Sequence, residues 1–357
     1  MRIRCAVIPG DGIGEEVVPQ GLRALEAAAE IDGGFSFKFE HYPWSCRYFT
    51  EHGEMMPADG LDILAQHDVI FLGAVGYPGV PDHVSLWGLL IPIRRTFQQY
   101  INLRPCRLLA GVQSPLRDKA PGAFDFLVVR ENSEGEYSNM GGRIHSGTPF
   151  EMAIQESVFT RMGCERVTRY AFELAKRRTG KLTAATKSNG INITMPFWDE
   201  VVRDVGREYP EVSSELVHID ALCAYFVTRP ESFDVVVGSN LFGDILTDLG
   251  GAIMGGIGMA PAANINPERR FPSMFEPVHG SAPDIAGNGW ANPIGQMWTA
   301  AMLLDHLGKT DLGAALVDSI EEVLREGVVR TRDLGGRAST TEMADAILAK
   351  FRAKDGL

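Results

Sequence analysis

Two aspartates four residues apart, Asp244 and Asp248 in Asn240-Leu-Phe-Gly-Asp-Ile-Leu-Thr-Asp248, follow the apolar run Val235-Val236-Val237. If a helix begins near Gly243, this spacing sets both carboxylates on one face, where they can share a divalent cation close to a strand end. Taken alone, the pair reads more simply as a solvated and mildly repulsive i,i+4 pair. Asp220, at the end of the strand pattern Glu215 to Ile219, offers a third carboxylate. Three oxygen ligands with open positions suit Mg²⁺ or Mn²⁺ better than zinc.

Arg94, Arg104 and Arg130 recur near the ends of apolar segments. Each alone suggests a surface ion pair; together they can bind a dicarboxylic acid, because each guanidinium presents a rigid fork of donors. Arg130 heads the polar run Arg-Glu-Asn-Ser-Glu-Gly-Glu-Tyr137, which brings a phenol toward the same region. Lys187 leaves a short strand in Ala184-Ala-Thr-Lys-Ser-Asn-Gly190, where it has no packing role. It is either an exposed turn lysine or a general base.

The elements that must position these groups form an α/β pattern. Strand signals fall at Arg4 to Ile8, Phe35 to Glu40, Val69 to Leu72, Phe124 to Val129, Leu182 to Thr186, Glu215 to Ile219 and Phe233 to Val237. Helical patterns alternate with them at Glu15 to Glu30, Arg166 to Arg178 and Pro293 to Leu307, the last with Asn292 as its expected N-cap. Lys176-Arg177-Arg178 before Gly180 reads as a cationic helix end with a glycine cap. The small-residue stretch Gly250 to Ala263 should interrupt the preceding helix, and a second crossing is expected near Asn102 to Cys106.

A formal charge of -12 over 357 residues argues against nucleic acid or an anionic membrane as the main partner, while a local cationic pocket remains compatible with a small anion. Five scattered cysteines without C-x-x-C spacing argue against a disulfide framework or zinc site and fit a reducing compartment. The N-terminus enters a strand without a signal-type apolar core, and no window reaches membrane-spanning length. The expected location is the cytoplasm.

The strand Arg4 to Ile8, the turn Gly10-Asp11-Gly12-Ile13-Gly14 and a following helix imitate a dinucleotide-binding unit. Glu15 occupies the third glycine position, however, and Glu15 and Glu16 place negative charge where a pyrophosphate would bind. A tight strand-to-helix turn is the better reading.

Taken in order, Ile8-Pro-Gly-Asp-Gly-Ile-Gly14, Asn102-Leu-Arg-Pro105, Arg130-Glu-Asn, Asn240-Leu-Phe-Gly-Asp-Ile-Leu and Phe275-Glu-Pro-Val-His-Gly-Ser-Ala-Pro-Asp284 resemble the metal-dependent β-decarboxylating dehydrogenases. That family includes 3-isopropylmalate, isocitrate, D-malate and tartrate dehydrogenases. The resemblance implies two α/β domains sharing a large mixed sheet rather than an ordinary Rossmann fold. A discontinuous cofactor domain would span 1–101 and 257–357, and a dimerisation and substrate domain 102–256, with an arm near 137–150.

It further implies that Arg94, Arg104 and Arg130 bind substrate carboxylates, that Asp220, Asp244 and Asp248 bind Mn²⁺ or Mg²⁺, and that Tyr137 and Lys187 act as acid and base. Lys187 and Asp220 would reach the site from the second subunit of an obligate homodimer. NAD would lie against His279, Gly280, Ser281, Ala282, Asp284 and Asn292, with Asp284 accepting from the ribose diol and repelling a 2′-phosphate. K⁺ is a further candidate ion.

The segment Ser85 to Arg94 would set specificity. Gly88 and Leu90 stand where isocitrate enzymes carry serine and asparagine, and Trp87 where isopropylmalate enzymes carry an acid. An indole there should fill volume and favour a four-carbon acid, tartrate or D-malate, and other segments are most similar to that branch. The alternatives are 3-isopropylmalate dehydrogenase, a metal-dependent decarboxylase or lyase without nicotinamide, and a catalytically silent protein that keeps the fold.

Overall fold

The short apolar runs become the interior of one sheet. In the computed structural model, which describes residues 1–354, the strands are β1 (Arg2–Gly10), β2 (Ser36–His41), β3 (Val69–Ala74), β4 (Ile101–Arg107), β5 (Asp125–Glu131), β6 (Gly141–Ile144), β7 (Met152–Gln155), β8 (Lys181–Thr186), β9 (Ser213–His218), β10 (Val235–Gly238), β11 (Pro261–Ile265) and β12 (Ser273–Pro277). Ten of them form a mixed sheet in the order β2-β1-β3-β12-β11-β4-β5-β10-β8-β9. The pairs within β2-β1-β3-β12 are parallel, as are those within β5-β10-β8-β9. Between these blocks β11 pairs antiparallel with β12 and with β4, and β4 antiparallel with β5. Strands β3 and β10 are buried throughout, as expected of apolar runs in a sheet covered on both faces.

Besides the separate β6–β7 hairpin, the strands that sequence periodicity did not reveal are those at the join of the two blocks, β4, β11 and β12. Each carries a polar residue inside its run: Asn102 and Arg104 in β4, Asn264 in β11 and Glu276 in β12. These side chains satisfy one another across the sheet, so a pattern that looks like a loop is compatible with a buried strand. Elsewhere the boundaries move by a few residues. The helix carrying the paired aspartates begins at Asn240, not near Gly243, and runs to Ile253. Ile219 opens a helix instead of ending β9, and the helix expected from Arg166 starts at Arg161. The start of the helix Ile294–His306 lies one residue later than expected: Pro293 takes the N-cap position, and Asn292 precedes it, its Oδ1 accepting from Ile294 N at 3.0 Å.

Gly180 closes the helix Arg161–Arg177 with φ of 76°, its N–H donating to Ala175 O at 3.0 Å. Gly255 and Gly256, at φ of 115° and 142°, end the aspartate helix ahead of β11, which is the interruption expected there. No helix among the described residues is long and apolar enough to cross a membrane.

The turn after β1 packs onto the segment that begins at His279. Ile13 N donates to Ser281 O at 2.8 Å, and the carboxylate of Asp11 accepts from Cys46 N and Gly76 N. A Cβ on Gly12 would lie 2.1 Å from Ser281 O, at a φ of 58°. The turn therefore supports the 279–284 loop, and its glycines permit backbone contact with that loop. Gly12→Ala is expected to destabilise the fold by about 1–3 kcal/mol or more, read as a lowered urea midpoint. A midpoint equal to that of the parent would remove this contact from the stabilising set.

Candidate active site

The register of the sheet gathers the cationic residues. Asn102 in β4 lies opposite Arg130 in β5 and opposite Asn264 in β11, while Arg130 is level with Gly238 in β10. The helix Asn240–Ile253 leaves β10 two residues later, so Asp244 arrives beside Arg130 and Arg104 within one turn. Arg94, Arg104 and Arg130 are 8%, 7% and 3% exposed, which removes the surface ion-pair reading of each.

Asp244 is the centre of the cluster. Its Oδ1 accepts from Arg130 Nη1 and, at 3.3 Å, from Arg104 Nη1, and its Oδ2 accepts from the Tyr137 hydroxyl at 2.9 Å. Arg130 also grips Asn240 Oδ1 through Nε and Nη2, at 3.1 and 2.8 Å. Arg104 donates to Thr247 Oγ1 at 2.6 Å and to Asn102 Oδ1 at 2.7 Å. From Asn102 the chain continues through Asn264 to Glu276, which accepts from Arg94 Nη2 at 2.6 Å. One hydrogen-bonded path thus links all three arginines.

The electrostatics follow from this crowding. Burial, then the neighbouring Arg104, pushes the Arg130 guanidinium down to about 10 despite Asp244. Burial opposes ionisation of Asp244, but Arg130 and then Arg104 hold its carboxyl below the ordinary range. Burial and Asp244 raise the Tyr137 phenol, against the pull of Arg130, so the phenol keeps its proton and can serve as a donor. Arg94 retains a buried Nε without a partner among the described residues, a donor available to an incoming carboxylate.

Tyr137 is placed by the loop that follows β5. The Glu131 carboxylate accepts from Ser133 N and Glu134 N, both at 2.9 Å, folding the first turn. Glu136 then accepts from Ser239 Oγ and Leu241 N at 2.7 and 3.1 Å, an acid at the N-terminus of the aspartate helix, where backbone donors favour it. The phenol ring lies 5.4 Å from the Arg130 guanidinium.

Asp248 sits one turn beyond Asp244, and its carboxyl is pushed up by loss of surrounding water and then by Asp244. Two oxygen ligands on one face, with no cationic partner for Asp248 among the described residues, suit a hard divalent cation. The third expected ligand lies apart. Strands β8 and β9 pair so that Thr186 is level with His218, which brings Lys187 Nζ to 2.6 Å from Asp220 Oδ1. That ion pair is a second cluster, and Lys187 holds the Asp220 carboxyl below its usual range. Among the described residues no three His, Cys, Asp or Glu side chains gather within one chain to hold a metal.

Trp87 and Leu90 lie half-buried in a π-helical turn, Leu86–Leu90, that runs into the helix Ile91–Thr96. Pro92 has no N–H to donate, and the widened turn accommodates that loss. The indole packs under the Arg95 guanidinium at 5.0 Å. In the 279–284 segment His279 is buried with Nε2 unpartnered among the described residues, Ala282 adopts a φ of 40°, and a Cβ on Gly280 would meet open space. Ser281 is buried, whereas Asp284 is exposed. Asn292 is already engaged through both polar atoms, donating to Asp333 Oδ2 at 2.8 Å and accepting from Ile294 N at 3.0 Å, so its side chain has a role in the fold itself.

Sequence reasoning missed Asn264, Glu276, Thr247, Glu136 and Arg95. A polar residue inside an otherwise apolar run is the signal that marks Asn264 and Glu276; nothing local marks Glu136, whose partners are more than a hundred residues away.

The isocitrate/isopropylmalate dehydrogenase family model matches residues 4–347. The chain is 58% identical over 348 residues to a probable tartrate dehydrogenase/decarboxylase of Bacillus subtilis, covering 97% of each chain. It is 57% identical over 353 residues to the decarboxylating D-malate dehydrogenase of Escherichia coli, again covering 97% of each. The crystal structure of isocitrate dehydrogenase from Methylococcus capsulatus superposes with a TM-score of 0.87 at 32% identity, over 98% of this chain and 99% of that one. With its mixed ten-stranded sheet and a match across nearly its whole length, the chain belongs to the isocitrate/isopropylmalate dehydrogenase family.

Proposed function

We propose that the protein is an NAD-dependent and divalent-metal-dependent dehydrogenase that oxidises tartrate, D-malate or both, and decarboxylates products that carry a β-carboxylate. The observation that carries this reading is the set of three buried arginines on one hydrogen-bonded path, with a proton-bearing phenol and a pair of aspartates beside them. Identity of 57% and 58% to proteins named for D-malate and tartrate supports the four-carbon choice.

When bound, Mn²⁺ or Mg²⁺ would polarise the substrate oxygen and NAD would accept the hydride. The rest falls to the residues of the chain. Arg94, Arg104 and Arg130 hold the carboxylates and fix the hydroxy acid, and Lys187 of a second subunit takes the hydroxyl proton. After loss of CO₂, Tyr137 returns a proton to carbon. Asp284, exposed beside the glycine turn, suits a ribose diol and disfavours a 2′-phosphate.

A homodimer would resolve the separation of the two clusters, because Asp220 and Lys187 of one subunit could complete the Asp244–Asp248 face of the other. Apolar exposure supports this arrangement. The β6–β7 hairpin leaves Met140, Ile144, Met152, Ile154 and, between the strands, Phe150 exposed, Phe150 at 78%, and Ile193 near Lys187 is 79% exposed. Such a patch is characteristic of an interface.

The direct test is a panel of D-malate, each tartrate isomer and 3-isopropylmalate with NAD and Mn²⁺, with NADH and CO₂ measured separately. NADH formation with D-malate or tartrate, abolished by chelator, is expected. CO₂ without NADH would instead establish a lyase, and preference for 3-isopropylmalate the sister activity. Mixing inactive Lys187→Ala and Asp244→Asn chains should restore about a quarter of parental activity, since half the dimers would be hybrids with one intact site each. Recovery near zero would place both residues in sites of a single chain. Trp87→Ala should raise kcat/KM for 3-isopropylmalate relative to D-malate by roughly tenfold, the scale of a methylene or more of added pocket; an unchanged ratio would remove Trp87 from specificity.

A further inference from the structure

Arg95 is the unexplained cation of this region. Its neighbour Arg94 is paired with Glu276, but Arg95 has no acidic partner among the described residues. Its Nη2 instead donates to the backbone carbonyl of Tyr137 at 2.5 Å. The same guanidinium lies over the Trp87 indole, 5.0 Å from the ring centre. Gln98 Nε2 donates to Arg95 O at 3.0 Å, fixing the helix end from which the side chain departs. A half-buried guanidinium that uses its face on an aromatic ring and its edge on a carbonyl is held at two points.

We propose that Arg95 is a positioning residue that couples Trp87, the side chain filling the substrate pocket, to Tyr137, the proton donor. This inference rests on the proposed role of Tyr137 as the acid. Tyr137 is fixed at its hydroxyl by Asp244, at 2.9 Å, and at its backbone by Arg95. Losing the second anchor leaves the phenol attached to the site but free to shift. The step at stake moves one proton from Tyr137 Oη to the carbon that has lost CO₂. The electron pair freed by C–C cleavage becomes the new C–H bond, and the phenolate regains its proton from water. Proton transfer of this kind depends on donor placement to within about an ångström.

This makes an arginine outside the carboxylate-binding set a determinant of turnover. Because the indole stacks on the guanidinium that holds Tyr137, a substrate that displaces Trp87 would also disturb the acid. Selection of the acid by size and return of the proton to carbon then share one structural element.

The test is a double-mutant cycle on the purified enzyme, with D-malate, NAD and Mn²⁺, using Arg95→Ala, Tyr137→Phe and the double variant. Arg95→Ala is expected to lower kcat about 10- to 100-fold with KM changed by less than about threefold. Arg95→Lys, which keeps one donor, should recover part of that loss. In the Tyr137→Phe background, removing Arg95 should cost little more, because residues acting as a unit are not additive. Fully additive losses, or a raised KM with parental kcat, would overturn the coupling and make Arg95 an independent or substrate-binding residue. Parental kcat in Tyr137→Phe would overturn the acid assignment itself; a slow Tyr137→Phe beside a normal Arg95→Ala would overturn only the role of Arg95. Should Arg95→Ala not fold, Arg95→Lys and Arg95→Gln make the same comparison.

Discussion

Three guanidiniums in one buried volume repel one another, and removing each from water is costly unless charge and hydrogen bonds compensate. Asp244 supplies that compensation at one end of the path and Glu276 at the other, with Asn102 and Asn264 relaying between them. The arrangement is not neutral: Arg94, Arg104 and Arg130 directly face two carboxylates. The remaining positive charge, together with the unpartnered Nε of Arg94, makes the pocket receptive to an anion. The same constraint explains why Arg130 is depressed and Tyr137 raised. Burial and then the neighbouring Arg104 lower the one; burial and then Asp244 raise the other.

The sheet topology creates this concentration of charge. Antiparallel insertion of β11 and β4 between two parallel blocks sets Asn264, Asn102 and Arg130 in adjacent strands at one level. The aspartate helix then begins beside that level because β10 ends beside Arg130. Glu136 ties its first turn to the loop bearing Tyr137. The buried arginines, the phenol and the paired aspartates therefore share a rigid support, which catalysis by positioned groups requires.

Membership of the isocitrate/isopropylmalate dehydrogenase family and the composition of this site agree on the class of chemistry. Two features of the single chain point beyond it: a lysine–aspartate pair separate from the other aspartates, and an apolar hairpin left in solvent. Both are accounted for by the proposed homodimer, in which the hairpin buries its side chains and the pair completes a neighbouring site. Arg95 adds a link within one chain between the Trp87 indole and the Tyr137 backbone.

Much of this was legible in the residues themselves. Apolar runs at Val69 to Leu72 and Val235 to Val237 mark buried strands because a parallel strand covered on both faces has no polar side to show. The i,i+4 spacing of Asp244 and Asp248 places them on one helix face whatever the surrounding fold. Ordered motifs across the chain identified the family, and with it the residues worth watching. Strands β4, β11 and β12 were not legible, since their buried Asn, Arg and Glu side chains look like loop residues until partners from distant strands satisfy them. Nor could spacing reveal the Arg95 contact with Tyr137 or the Glu136 cap, because local pattern records which face a side chain occupies and not what meets it there. The sequence by itself thus determined many of the elements, the family and most of the chemical groups. Only the tertiary structure decided which charges neutralise one another, because that depends on register between strands remote along the chain.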